Sequence, residues 1–405
     1  MTAMNLPSPA RPGTALLLSG GGARAAYQAG VLQGIAALQR RHGLPAGGAP
    51  FDIIVGTSAG AINAAALACG ADHFQVAVAR LAAFWSNFHV EQVYRATPRH
   101  ALAASARWFA LMLLGWLSPR WRGLQPHSLL DNAPLRALLQ AQLPLERLPG
   151  LLRQGHLRAL AVTTSCYGSG EHVVFYDAVE QISDWARARR RAVRTPIGIE
   201  HLMASAAIPL LFPATRIEVN GQAAYYGDGS MRQITPIAPA IHLGARRVLV
   251  VGVSSAPEPV DEAGLGDPAY PSLAQVANHA LASIFLDTLT ADAERLHRIN
   301  HTLSLIEPAR RAESALRPIE LLTIMPSQRL DRVAIRHTAT LPRPVRTLMA
   351  ILGMRGGAPS ARSSALATYL MFEAGFTTEL MRLGEADALA QQDAICRFFG
   401  WPRSP

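Results

Sequence analysis

The N-terminal part of the chain alternates apolar runs with glycine turns, and this order restricts the fold more than any other feature. Thr14–Ser19 (TALLLS) is an apolar run that enters Gly20–Gly22, and Arg24–Arg40 then places Ala, Val, Leu and Ile at helical spacing. Phe51–Val55 repeats the pattern, entering GTSAG and an alanine-rich helical stretch. Strand, glycine turn and helix, twice in succession, predict an α/β fold with a parallel sheet.

Further strands and helices are predicted downstream. Five runs predict strands: Leu157–Ser165, Glu171–Tyr176, Arg247–Val253, Thr302–Ile306 and Ile319–Met325. Asn220-Gly221 lies between two more such runs and predicts a hairpin, because Asn-Gly favours tight turns. Pro271–Asn300 is predicted to be one long helix, and the tail from Pro342 is predicted to be helical with a linker at Gly353–Ser363.

The pentapeptide Gly56-Thr57-Ser58-Ala59-Gly60 fits the G-x-S-x-G pattern between a predicted strand and a predicted helix. Gly56 and Gly60 permit a sharp turn that exposes the Ser58 hydroxyl, with a helix N-terminus behind it. The helix dipole there favours negative charge on the serine oxygen and on a tetrahedral intermediate. In this context the pattern favours a catalytic nucleophile at Ser58 over a purely structural turn.

The earlier glycine turn, Gly20-Gly21-Gly22-Ala23-Arg24, also joins a strand to a helix. Three successive glycines expose backbone N–H groups, as an oxyanion hole requires. The alternative is a dinucleotide-binding loop, since Gly20-x-Gly22-x-x-Ala25 satisfies a relaxed form of that fingerprint. That fingerprint also requires an acid about 20 residues after the loop, at the end of the second strand. Residues 40–48 contain no Asp or Glu, and Asp52 lies at the start of the second predicted strand.

A nucleophilic serine needs a base, and two kinds of residue could supply it. A Ser–Asp/Glu–His order would use one of the downstream histidines His242, His279, His297, His301 or His337. The fold that uses this order places several strands before its serine turn, whereas only one predicted strand precedes that of Ser58. His242, His279, His297 and His337 fall on predicted helices, where single histidines are more often surface or core residues than bases. Asp228, in Tyr226-Gly227-Asp228-Gly229-Ser230, follows a hairpin strand between two glycines and is the better candidate.

In this order and context, GGGAR, GTSAG and DGS resemble the patatin-like phospholipase family, as does Ala204–Pro209 (ASAAIP) with Phe212-Pro213. The resemblance implies a three-layer α/β/α fold with a mostly parallel central sheet and a C-terminal helical extension. It also implies a dyad of Ser58 and Asp228 without histidine, an oxyanion loop at Gly20–Gly22, and Arg24 as the basic residue following that loop. Two positions depart from the family, Ala25 and Ser230, and Ser230 could alter the hydrogen bonding of Asp228.

The resemblance predicts hydrolysis of a lipid or phospholipid ester through an acyl-enzyme. Acyl transfer, hydrolysis of short or polymeric esters, and a catalytically idle lipid-binding regulator remain as alternatives. We expect a catalytic core at residues 14–244, and an extension at residues 245–405 that completes the sheet and packs on the core. Burial must raise the basicity of Asp228 for a carboxylate to serve as base.

Composition limits the partners. All 38 basic residues are Arg, and the net charge is +10, which suits phosphate groups and anionic membrane surfaces. No nucleic-acid motif is present, so no nucleic-acid partner is expected, and the absence of metal-ligand spacing predicts no metal or other cofactor. The N-terminus lacks a continuous apolar stretch for a secretory signal, and Cys69, Cys166 and Cys396 show no paired spacing. We therefore expect a cytoplasmic protein, with peripheral membrane contact left open.

Two segments have competing interpretations. Leu102–Arg122, with Trp108, Trp116 and Trp121 among arginines, is predicted to govern access to lipid, as a lid or as a membrane-interface segment, or else to be a buried helix of the core. Residues 185–194 (WARARRRAVR) are predicted to be the solvated face of a helix, or else a patch for anionic headgroups.

Overall fold

The structure is a computed structural model that describes residues 13–44, 48–95, 128–180, 185–254, 288–337 and 368–402, with isolated positions 182, 341 and 346. The predicted segment Leu102–Arg122, the linker at Gly353–Ser363 and His279 lie outside these residues. None of the helices in the described ranges is long and apolar enough to cross a membrane.

Ten strands of the described ranges form one sheet. Their bounds are β1 Gly13–Leu18, β2 Ile53–Thr57, β3 Ala159–Cys166, β4 His172–Ala178, β5 Ala186–Arg187, β6 Arg190–Arg194, β7 Thr215–Val219, β8 Gln222–Asp228, β9 Ala245–Val251 and β10 Glu320–Ile324. The order is β10-β9-β1-β2-β3-β4-β6-β5, and β8 pairs with both β3 and β7. The five strands from β10 to β3 run parallel, as the repeated strand–turn–helix pattern predicts.

Helices lie on both faces of the sheet. In the described ranges they are α1 Ala26–Arg41, α2 Ala59–Ala68, α3 Phe74–Ser86, α4 Ala133–Gln142, α5 Leu148–Arg153, α6 Ile199–Ser205, α7 Ala238–His242, α8 Leu289–Ser304, α9 Pro308–Ala312, α10 Leu330–His337, α11 Ala374–Ala390 and α12 Gln392–Phe399.

Alternating side chains of the strands divide the interior into two apolar cores. On β1, Leu16 and Leu18 pack in the larger core with α1, α2, α3 and α11, whereas Ala15 and Leu17 pack in the smaller core with α7 and α8. β1, β2 and β3 are buried along their whole length on both faces, which explains their largely apolar sequences. The three-layer α/β/α architecture expected from the sequence is confirmed.

Two predicted elements are wrong. Residues 185–194 form a hairpin of β5 and β6 rather than a helix face: β6 pairs in parallel with β4, and Arg189 at the turn has φ 56°. Ala192 on β6 and the preceding Trp185 pack in the smaller core, so tertiary pairing overrides the helix propensity of Ala and Arg. Thr302–Ile306 is not a strand, since α8 continues to Ser304.

Candidate active site

Ser58 occupies a strained turn between β2 and α2. Its backbone angles, φ 55° and ψ −130°, are ones that residues other than glycine rarely adopt. The flanking glycines are required by close approach: a Cβ at Gly60 would lie 2.4 Å from the carbonyl oxygen of Leu18, and one at Gly56 would lie 2.5 Å from that of Gly60. The predicted serine elbow thus has the expected strand–turn–helix geometry, with Ser58 buried at 3% exposure.

The register of β3 brings Asp228 to Ser58. One edge of β3 pairs with β4, so β2 and β8 share the opposite edge. Along that edge, Thr57 at the end of β2 lies opposite Thr163, and Asp228 at the end of β8 lies opposite Thr164. Ser58 and Asp228 therefore lie side by side at the point where the β2–β3 pairing ends and the β3–β8 pairing begins.

A buried serine that sequence reasoning did not single out joins these elements. The Ser205 hydroxyl, at the end of α6, accepts a hydrogen bond from the Ser58 amide at 2.8 Å and donates one to the Thr163 carbonyl at 2.7 Å. Two residues later, the Ala207 carbonyl accepts a hydrogen bond from the Asp228 amide at 3.1 Å. The ASAAIP motif therefore fixes the backbones of both predicted dyad residues.

The Asp228 carboxyl is completely buried, and burial raises its pKa to about 6. The Ser58 hydroxyl and the amide and hydroxyl of Ser230 hold the pKa from rising further. The Ser230 amide donates to Oδ1 at 2.9 Å, as the amide of any residue at this position could. The Ser230 hydroxyl also lowers the pKa of Asp228, and this is the contribution that the unusual side chain adds. Oδ2 has no hydrogen bond of ordinary geometry in the described part of the chain. The Ser58 hydroxyl is near the carboxyl without a fully formed bond, which is common before substrate binds.

The glycine loop lies directly against this pair. A Cβ on Gly20 would lie 3.0 Å from the Ser58 Cβ and 2.7 Å from the Ser230 Oγ. Within the described ranges, the amides of Gly20 and Gly21 have no hydrogen-bond acceptor. Backbone donors beside a serine hydroxyl and a buried carboxylate are what acyl transfer to serine requires.

Ala23 and Arg24 are buried, and the Arg24 side chain extends toward the C-terminal part of the chain. Its Nε donates to the Thr368 Oγ1 at 2.5 Å, and its guanidinium lies 4.8 Å from the centre of the Tyr369 ring. Desolvation lowers the pKa of Arg24. Arg24 therefore joins the loop to residues 368–369.

The candidate histidines that the structure describes are not hydrogen-bonded to the Ser58–Asp228 pair. His242, His297 and His337 are on helices as predicted, and His301 is on α8. The His242 ring stacks on Trp185 with centroids 4.9 Å apart, and His337 contacts Glu379 at 2.5 Å. No histidine in the described ranges hydrogen-bonds to Ser58 or Asp228.

A cavity of about 680 Å³ lies between α2, α3 and α4. It is lined by Ile62 and Ala66 of α2, together with apolar residues such as Phe84 and Leu138, and neither Ser58 nor Asp228 lines it. The described residues contain no group of three His, Cys, Asp or Glu side chains placed to hold a metal ion.

The chain is similar to known proteins in sequence and in structure. A model of the family described as patatin-like phospholipase matches residues 16–241. The chain is similar in structure to VipD from Legionella pneumophila at 12% identity and a TM-score of 0.33, over 95% of this chain and 67% of VipD. No curated protein sequence matches the chain.

Ser205 generates the first prediction. In Ser205→Ala, the Ser58 amide and Thr163 carbonyl lose their partner, and an unpaired buried group costs about 1–3 kcal/mol. We expect a lower melting temperature and up to about a hundredfold slower ester turnover, the scale of a misplacement by about 1 Å. Ser86→Ala, which removes a half-buried hydroxyl whose hydrogen bond to the Ala83 carbonyl is exposed, is the control. Wild-type stability and turnover in Ser205→Ala would contradict the bridging role.

Asp228 generates a second prediction, on stability. Its folded-state pKa of about 6 exceeds the ordinary 3.8, so the folded state favours the protonated carboxyl. The stability that protonated Asp228 contributes is therefore fully present below pH 3.8 and is lost as the pH rises through 6. The two values correspond to a cost of about 3 kcal/mol for the ionised form. We therefore expect Asp228→Asn to unfold at a higher temperature than wild type at pH ~8, with the two curves converging near pH ~4. A constant difference across this range would show that ionisation is not the cause.

Proposed function

We propose, because the chain belongs to the patatin-like phospholipase family, that it hydrolyses carboxylic esters of lipids through an acyl-enzyme on Ser58, with Asp228 as the base. The observation that carries the proposal is a completely buried carboxyl, with a pKa of about 6, beside a serine in a strained elbow. A carboxylate with this pKa is more basic than a free aspartate and still ionised at neutral pH.

In the first half-reaction, the Ser58 oxygen attacks the ester carbonyl carbon while its proton passes to Asp228. The amides of Gly20–Gly22 are suited to donate hydrogen bonds to the oxyanion of the tetrahedral intermediate. When that intermediate collapses, the carbon–oxygen bond to the alcohol breaks, and the alcohol leaves with the proton from Asp228.

The second half-reaction repeats these roles with water. Asp228 takes a proton from the water, which attacks the acyl group on Ser58. Collapse of the second intermediate releases the carboxylic acid, and the proton returns from Asp228 to the Ser58 oxygen. Each step uses only the ester, water and the two side chains, so the proton balance closes without a histidine.

The third prediction tests the dyad. Ser58→Ala should abolish hydrolysis of a soluble short-chain ester and labelling by a fluorophosphonate, and Asp228→Asn should lower turnover at least about a hundredfold. Because only ionised Asp228 accepts the proton, kcat/KM should rise with pH through about 6 and then level off.

His297→Ala, on the exposed face of α8, is the matched control and should keep full turnover. A histidine variant as inactive as Ser58→Ala would replace the dyad with a triad. Labelling of Ser58 without turnover of any ester would instead favour the lipid-binding regulator, and ester products that appear only with an added alcohol would favour acyl transfer.

A fourth prediction tests the loop. In Gly20→Ala, the added methyl group presses on the Ser58 Cβ and Ser230 Oγ, without unfavourable backbone angles. Turnover should fall by roughly a hundredfold or more, the scale for loss of one oxyanion donor, with little change in melting temperature.

Gly150→Ala is the control, because its methyl group meets nothing within 4 Å. Unchanged turnover in a folded Gly20→Ala protein would place the oxyanion donors elsewhere.

A further inference from the structure

Three loops meet around Asp228 at the carboxyl edge of the sheet. The Tyr167 amide, after β3, donates to the Tyr225 carbonyl on β8 at 2.9 Å. The Arg189 carbonyl at the β5–β6 turn accepts from the His172 amide at 2.9 Å, and Arg190 donates to the Thr235 Oγ1. These contacts make one continuous surface. We call it the basic rim and define it by Tyr167, Arg187, Arg189, Tyr225, Arg232 and Ile234.

The rim exposes large apolar side chains beside the proposed dyad. Tyr167 is 48% exposed, Tyr225 58% and Ile234 71%. The Tyr167 hydroxyl lies 2.6 Å from the position of a Cβ on Gly227, the residue before Asp228. Tyrosine presents an apolar ring with a polar tip, which suits the headgroup region of a bilayer.

The charge of the rim is strongly positive. Arg187, Arg189 and Arg232 are exposed, and in the described ranges none of them pairs with a carboxylate. Exposed Arg216 lies opposite Tyr225 in the β7–β8 hairpin and adds to this charge.

The acidic side chains nearby do not cancel it. Glu171 is paired with Arg191 at 3.2 Å, and Glu218 on β7 lies toward the hairpin turn, away from Asp228. The guanidinium groups at the rim therefore remain available to bind phosphate oxygens, which they can do bidentately.

We propose that the basic rim docks the protein on an anionic phospholipid bilayer, with the arginines on lipid phosphates and Tyr225 and Ile234 in the headgroup region. Peripheral proteins commonly combine these two interactions, because each alone gives weak and reversible binding. Docking by this surface brings the edge of the sheet that holds Ser58 and Asp228 against the lipid. The role of docking in catalysis rests on the proposed function, whereas docking itself does not.

The test uses the full chain carrying Ser58→Ala, so that no lipid is consumed during the measurement. Binding is measured by co-sedimentation with vesicles of phosphatidylglycerol and phosphatidylcholine, and with vesicles of phosphatidylcholine alone. We expect binding to the anionic vesicles that weakens as salt is added. Arg187→Gln with Arg189→Gln should weaken it by roughly tenfold or more, since each arginine near an anionic surface contributes about fivefold.

The control is Arg298→Gln with Arg310→Gln, which removes the same charge from exposed positions on α8 and α9. This control should bind like the parent protein. A second pair, Tyr225→Ala with Ile234→Ala, should weaken binding at high salt as well, because it removes the apolar contribution.

Each outcome decides the proposal. Equal losses in the rim and control pairs, no binding to anionic vesicles, or tighter binding to duplex DNA than to vesicles would overturn it. The two double variants of the rim are also made in the protein that retains Ser58, and their turnover of a soluble ester is measured. This second measurement keeps the two proposals separate. Loss of vesicle binding with normal turnover supports docking, and failure of ester turnover with normal docking counts only against the proposed function.

Discussion

Strand β3 pairs with two different strands along one edge, and the proposed dyad depends on where that change falls. β2 pairs as far as Thr163, and β8 occupies the edge from Thr164 onward. β2 is parallel to β3 and β8 is antiparallel, so the two strands meet end to end. A shift of one residue in the β3–β8 register would turn the Asp228 side chain to the other face of the sheet, and a shift in the β2–β3 register would displace Ser58 instead. The register of this one strand therefore sets the relative position of two residues 170 positions apart in sequence.

Holding this geometry costs stability at both residues. Ser58 has strained backbone angles, which cost of order 1–3 kcal/mol, and Asp228 is an acid buried where its ionised form is disfavoured. The two large apolar cores and the Ser205 bridge offset these costs. The same burial that destabilises the carboxylate makes it basic, so its cost and its proposed function have one physical origin.

Much of this arrangement could be predicted from sequence, because glycine marks it. The two strand–turn–helix units, the serine elbow and the Asp228 turn were each indicated by glycines next to an apolar strand. The Ser205 bridge was not, because its partner Ser58 is 147 residues away and a buried serine has no local signature. The hairpin at residues 185–194 was missed because pairing with β4, not local propensity, makes it a strand. The sequence does contain a signal for the end of α8, because Leu289, Leu296 and Leu303 recur every seven residues and are all buried. This helical pattern continues into the short apolar run at Thr302–Ile306, which alone predicts a strand.

The C-terminal half contributes to the site through its contacts behind the glycine loop. A Cβ on Gly21 would lie 2.4 Å from a methyl carbon of Val253, and one on Gly22, at φ 55°, would lie 2.1 Å from the carbonyl oxygen of Tyr369. Arg24 packs on the same tyrosine. Glycines are thus needed in this loop because of close approach on two sides: a Cβ on Gly20 would press against Ser58 and Ser230, and Cβ atoms on Gly21 and Gly22 would press against residues beyond 244. β9 moreover inserts between β1 and β10. The sequence leads us to expect a catalytic core that ends at residue 244, but we propose that neither side of this expected boundary holds the loop in place alone, because the loop contacts residues on both sides of it.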